Sequence, residues 1–145
     1  MPSAPIDHLS LDHLGIAVRD LDAACALYRL LGTDASEREI IAHEQVEVAI
    51  LPLAAGGRIE LLQPTAADSP VGRFLERRGE GLHHVALRVP DLSAALRRLQ
   101  AAGVRLVHDE VRTGAGGHRY VFVHPSAASG VLLELVEAGR GGIAT

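Results

Sequence analysis

Two stretches of the chain share one pattern of apolar and polar positions. Residues 12–32 read DHLGIAVRDLDAACALYRLLG and residues 83–103 read HHVALRVPDLSAALRRLQAAG; at an offset of 71, without a gap, seven of the 21 pairs are identical. Each copy opens with a short alternating run, which predicts a strand. Asp20 and Asp91 follow at the N-cap position of an Ala/Leu-rich segment, and Gly32 and Gly103 stand just past its end, where glycine closes a helix. Leu92, Ala95, Leu96 and Leu99 recur at helical spacing as one apolar face. Cys25 aligns with Leu96 and is read as a small core residue.

Further apolar runs follow each helix. They predict strands at 45–51 and 58–63 in the first half, and at 118–124 and 131–137 in the second. Gly-containing turns such as Ala54-Ala55-Gly56-Gly57 and Ser129-Gly130 separate them. The least distinct strands are 36–40 and 105–108. Each half is therefore strand, helix and three strands, an α+β arrangement of two βαβββ modules. Ser69-Pro70 opens a short linking helix to about Arg78, with Ser as cap and Pro at the first helical position. The expected layout is an N-terminal arm (1–10), one domain (11–138) of two repeats (11–66 and 82–138), and a tail (139–145).

Composition narrows the function classes. Of 145 residues, 48% are apolar and 22% charged, enough to build a core and too apolar for a disordered chain. The net charge of −4 gives no basic surface for nucleic acid or anionic lipid. Aromatic residues make up 3%, with no Trp, which argues against base stacking. Cys25 is the single cysteine, so no internal disulfide forms and a reducing compartment fits. MPSAPIDHLS shows no basic-then-apolar export signal, and no apolar run approaches the roughly 18 to 20 residues of a membrane helix. The expectation is a soluble cytoplasmic protein without nucleic-acid or membrane partners.

Strand alternation points to chemistry. In the first strand His13, Gly15 and Ala17 share one face, opposite Leu14, Ile16 and Val18; in its repeat His84, Ala86 and Arg88 oppose Val85, Leu87 and Val89. The aliphatic face packs on the helices, so the other face carries a histidine beside small residues. Glu60 and Glu134 stand amid aliphatics in the last strand of each half, at an offset of 74. A carboxylate in a buried strand is costly unless paired, protonated or metal-bound. Two histidines and two glutamates from four strands suit an octahedral divalent first-row metal with open positions, and the lack of thiolates disfavours a structural zinc site. His8, His43, His108, His118 and His124 have no repeat partner in this pattern, and His83 alternates to the wrong face.

These residues resemble the vicinal oxygen chelate superfamily, which includes glyoxalase I and extradiol dioxygenases. Within it the chain is most similar to the methylmalonyl-CoA epimerase family, over about 11–137. The resemblance is carried by Leu11-Asp12-His13-Leu14-Gly15-Ile16, Ile59-Glu60-Leu61-Leu62-Gln63-Pro64, Asp68-Ser69-Pro70, Gly81-Leu82-His83-His84, Phe122-Val123-His124-Pro125 and Gly130-Val131-Leu132-Leu133-Glu134. It implies βαβββ modules pairing into a cup-shaped mixed sheet with helices outside. It further implies metal ligation by His13, Glu60, His84 and Glu134, with Glu134 also a catalytic acid/base. Cobalt is the first expectation for the ion, with manganese, nickel or zinc as alternatives. The implied reaction inverts the carbon between a thioester and a carboxylate of an acyl-CoA, through α-proton abstraction, a metal-stabilised enolate and reprotonation. Some epimerases carry Gln where this chain has Glu60. The family's second base lies on the strand after the first helix, behind a Glu-Gln-Gly segment. Here His43-Glu44-Gln45-Val46-Glu47-Val48 lacks the glycine. An ungapped alignment puts Val48 at the base position and a two-residue gap puts Glu47 there, so Glu47 is the candidate.

The ligand set fits a glyoxalase-type isomerase acting on a glutathione hemithioacetal equally well. A ring-cleaving dioxygenase needs only two histidines, one carboxylate and iron. The non-enzyme alternative is a metal-free binding protein of the bleomycin-resistance type. Apolar strand edges suggest a homodimer.

Overall fold

The computed structural model describes residues 9–137. The tail expected at 139–145 and the arm up to residue 8 lie outside the described residues. Eight strands and three α-helices occur among those described: β1 (Ser10–Ala17), α1 (Leu21–Leu30), β2 (Glu37–Ile41), β3 (Val46–Pro52), β4 (Arg58–Pro64), α2 (Pro70–Arg78), β5 (Gly81–Val89), α3 (Leu92–Ala101), β6 (Arg112–Thr113), β7 (Arg119–Val123) and β8 (Leu133–Glu137). The class is α+β, and each repeat has the expected strand–helix–three-strand order. The chain divides into two compact units, residues 13–84 and residues 85–137 with 9–12. No helix among the described residues is long and apolar enough to cross a membrane.

In residues 13–84 the strands lie in the order β2-β3-β4-β1. β4 runs parallel to β1 and antiparallel to β3, and β2 is antiparallel to β3. α1 covers one sheet face, where Val18, Leu21, Cys25, Ala49, Leu51 and Leu61 form a buried core. Pleating sends the alternate residues to the other face: His13 and Gly15 of β1, Arg58 and Glu60 of β4, and Val48 and Ile50 of β3. The first turn of α1 is held twice. The Asp20 carboxylate accepts the amides of Asp22 and Ala23 at 2.9 and 3.2 Å, and the Gln63 side-chain oxygen accepts that of Leu21 at 2.8 Å. α2 begins as expected, with buried Ser69 accepting the Gly72 amide at 3.1 Å and Pro70 at the first helical position.

In the second unit the order is β5-β8-β7-β6, with β5 parallel to β8 and the other pairs antiparallel. Its core contains Val89, Leu92, Val121, Val123 and Leu135. These are the repeat equivalents of Val18, Leu21, Ala49, Leu51 and Leu61, so the duplication extends from sequence into packing. Asp91 caps α3 by accepting the Ala94 amide at 3.0 Å, and both Gly32 and Gly103 take the left-handed conformation beyond the helix ends. One strand departs from expectation. The first strand after α3 is β6 at Arg112–Thr113, whereas at 105–108 only an isolated bridge from Leu106 to Val123 forms. The polar run His108-Asp109-Glu110 interrupts the apolar alternation that would hold a continuous ladder.

Candidate metal centre

Within residues 13–84 the His13 ring contacts two of the other expected ligands, His84 and Glu60. His13, Glu60 and His84 are 4%, 4% and 6% exposed. His13 Nε2 lies 2.9 Å from His84 Nε2, and His13 Nδ1 lies 3.3 Å from Glu60 Oε2. The two imidazoles meet nearly at right angles, with ring centroids 5.1 Å apart. Gly15 makes room for this: a Cβ there would overlap the His84 ring. The small residue two places after His13 thus has a steric reason.

The donor set fits a divalent ion. Two nitrogens about 2.1 Å from one ion and at right angles to each other are about 3.0 Å apart, the edge of an octahedron. Two imidazoles and a carboxylate, all buried, are donors that a divalent first-row ion accepts.

Arg58 belongs to this site and was missed from the sequence. Its buried guanidinium donates from Nε to Glu60 Oε2 at 2.8 Å. It stands two residues before Glu60 on the same strand and opposite His13 in the β1–β4 register. Period-two spacing from an already suspect carboxylate was the signal that could have found it.

Glu134 occupies the corresponding place in the other unit. Glu60 pairs with Gly15 of β1 and Ile50 of β3; Glu134 pairs with Ala86 of β5 and Phe122 of β7. Gly15 and Ala86 are repeat equivalents, as are Ile50 and Phe122. Glu134, 8% exposed, is therefore the structural counterpart of Glu60, although the sequence offsets of the strands differ. Phe122 is half-buried and packs edge-on against Tyr120 at 5.4 Å. The same unit holds a second missed ion pair. Arg88 donates from Nε and Nη2 to Asp12 Oδ1 at 2.9 and 2.7 Å, and Asp12 is fully buried.

Glu47, the candidate second base, is not brought to these donors. It pairs with Ile40 and Gln63, on the face that carries Arg38, Ala49 and Leu51 and that α1 covers. Val48, opposite Leu62, shares the face of Glu60. Gln45 sets this register. It adopts the left-handed conformation (φ 54°, ψ 50°), so it occupies the turn position of the missing glycine and β3 begins at Val46.

The remaining histidines divide cleanly. His83 places Nδ1 2.9 Å from His84 Nδ1. His124 accepts the Ser126 amide at 3.1 Å, and His43 lies 3.9 Å from Glu44. Burial, reinforced by the nearby Arg112 charge, holds the His108 imidazole below the ordinary histidine range.

Comparison with known proteins agrees with this fold. Residues 12–122 match the family model of the glyoxalase/bleomycin resistance protein/dioxygenase superfamily. The human mitochondrial methylmalonyl-CoA epimerase is 35% identical over 146 residues, covering 94% of this chain and 82% of the relative. The crystal structure of methylmalonyl-CoA epimerase from Mycobacterium tuberculosis superposes with a TM-score of 0.85 at 42% identity, covering 90% of this chain and 88% of that one. A variant of the Streptomyces coelicolor methylmalonyl-CoA epimerase, in complex with 2-nitronate-propionyl-CoA, gives a TM-score of 0.84 at 39% identity, with coverages of 90% and 95%. The chain belongs to the glyoxalase/bleomycin resistance protein/dioxygenase superfamily and, within it, to the family of methylmalonyl-CoA epimerases.

Proposed function

We propose that this epimerase-family enzyme interconverts the two epimers of methylmalonyl-CoA, using a divalent cation held by His13, Glu60, His84 and Glu134. The observation that carries the reading is the pair of facing Nε2 atoms, 2.9 Å apart and buried beside Glu60, in a chain of this family. The family relatives and the equivalent register positions of Glu60 and Glu134 support it.

The substrate carbon lies between a thioester and a carboxylate, so its proton is removable once enolate charge is stabilised. A divalent cation at the site supplies that stabilisation, with cobalt first among the candidates and manganese, nickel or zinc as alternatives. Glu134 takes the α-proton, and the C–H electron pair moves into the thioester carbonyl. Return of a proton to the opposite face of the planar carbon yields the other epimer, with no net change of atoms or electrons. With Glu47 turned toward α1, Glu60 is the carboxylate left to serve that second face. Its place in the first module matches that of Glu134 in the second, and epimerases with Gln at this position must return that proton through a different group. The same reading has the enzyme working in the cytoplasm as a homodimer. The buried free thiol of Cys25 supports the first, and exposed Leu11 and Leu82 on β1 and β5 support the second.

Incubation of the cobalt-loaded protein with methylmalonyl-CoA in deuterated water tests the reaction. α-Proton exchange and interconversion of the epimers are expected. No exchange, together with turnover of a glutathione hemithioacetal, would move the assignment to the glyoxalase branch.

A further inference from the structure

We infer that His83 is a positioning residue for the metal centre: its Nδ1 accepts the Nδ1–H of His84 and so holds His84 in the tautomer whose Nε2 offers a lone pair. The inference rests on the proposed centre and concerns a side chain outside its four ligands. His83 Nδ1 and His84 Nδ1 are 2.9 Å apart, so a hydrogen bond there puts one proton between them. The His83 ring is fixed in turn. Phe74 of α2 packs edge-on against it at 5.0 Å, and the Arg78 guanidinium covers the Phe74 ring at 5.8 Å.

Two proton orders satisfy this contact. In one, His83 donates to His84, and a neutral His84 then carries its own proton on Nε2, aimed at His13. In the other, His84 donates from Nδ1 to His83, and His84 Nε2 keeps its lone pair. Only the second order lets both His13 and His84 give Nε2 lone pairs to one cation. His83 must then be the acceptor and hold its own proton on Nε2. Ligating histidines are usually fixed through their other nitrogen by a carboxylate, carbonyl or water, and losing that partner costs about 10–100-fold in metal affinity. Here a half-buried imidazole fills the role. α2, which contributes no ligand, thereby helps define the centre through Phe74.

The test is cobalt affinity of the full-length protein, measured by competition with a chelator, for the parent, His83→Leu, His83→Asn and His84→Ala. An Asn side-chain oxygen reaches the place of His Nδ1 and accepts, whereas Leu cannot. His83→Leu is expected to bind cobalt about 10–100-fold more weakly, and His83→Asn to return to within about 3-fold of the parent. In the zinc-loaded parent, long-range proton–nitrogen NMR spectra are expected to show His84 protonated at Nδ1 and His83 at Nε2. Parental affinity in His83→Leu, equal losses in the Leu and Asn variants, or a proton on His84 Nε2 would each overturn the role. His84→Ala separates this from failure of the centre. If His84→Ala loses cobalt while His83→Leu keeps it, only the positioning role falls. If His84→Ala keeps it, the centre itself falls and the role with it.

Discussion

Gly15 contributes to the site by having no side chain. A Cβ at this position would overlap the His84 imidazole, with Nδ1 and Nε2 only 2.5 and 2.6 Å away. Gly15→Ala must therefore move the ring or the strand. Overpacking of this kind costs about 1–3 kcal/mol. The expected outcome is a lower urea midpoint together with weakened cobalt binding, whereas parental values of both would show that the ring has room. Arg58 presents the opposite case, a buried charge retained for its partner. Removing one member of a buried ion pair strands the other, at about 3–5 kcal/mol. Arg58→Met should lose that much by urea denaturation, and the double variant Arg58→Met/Glu60→Leu should recover a measurable part. Equal losses in the single and double variants would mean that Arg58 acts through other contacts. The positions of His13, Glu60, His84 and Glu134 were legible because duplication marks each one twice. Arg58 and His83 were not, because neither has a repeat partner of its own type. Leu132 stands where the repeat of Arg58 would fall, and Asp12 stands where the repeat of His83 would fall.

At the scale of elements, helix boundaries were the most legible feature. α1 and α3 begin behind Asp20 and Asp91 and end before Gly32 and Gly103, since caps are local devices that a short window of sequence contains. β3 shows what such a window cannot fix. Its face assignment depends on a single residue of register, and Val46-Glu47-Val48-Ala49-Ile50-Leu51 has apolar side chains on both faces, so burial alone does not choose. The choice is made upstream, where Gln45 takes the left-handed turn, and across the sheet, where Glu47 pairs with Gln63. Arg38, which shares this face, donates to Asp22 of α1 at 2.8 Å and confirms which side the helix covers. Glu47→Gln is accordingly expected to retain cobalt and to epimerise within about 2-fold of the parent, far from the roughly 10²-fold or greater loss that removal of a general base causes. Steady-state rates in both directions check it, and a loss of that size would return Glu47 to the reaction.

At the scale of the whole molecule, the duplication offers a chemical reason for two carboxylates. Epimerisation presents one planar carbon with two faces, and each module carries a glutamate at the same register position, Glu60 beside Gly15 and Glu134 beside Ala86. The modules are not identical in what surrounds these groups. Glu60 is held by Arg58 at 2.8 Å and faces Ile50, whereas Glu134 faces the half-buried Phe122. The two carboxylates therefore have different neighbours. Glu60→Gln separates ligation from proton transfer, because the amide oxygen still coordinates a cation but cannot carry the proton. The variant is expected to keep about one cobalt per chain and to retain deuterium exchange from the epimer that Glu134 is proposed to deprotonate. Interconversion should fall by about 10²–10⁴-fold, the usual contribution of one general acid/base. Glu134→Gln should show the mirror pattern, with exchange persisting only from the other epimer. Chiral analysis of the exchanged thioester, after short incubation in deuterated water, reads both variants in one experiment. If Glu60→Gln epimerises at the parental rate, a water rather than a protein carboxylate returns the second proton.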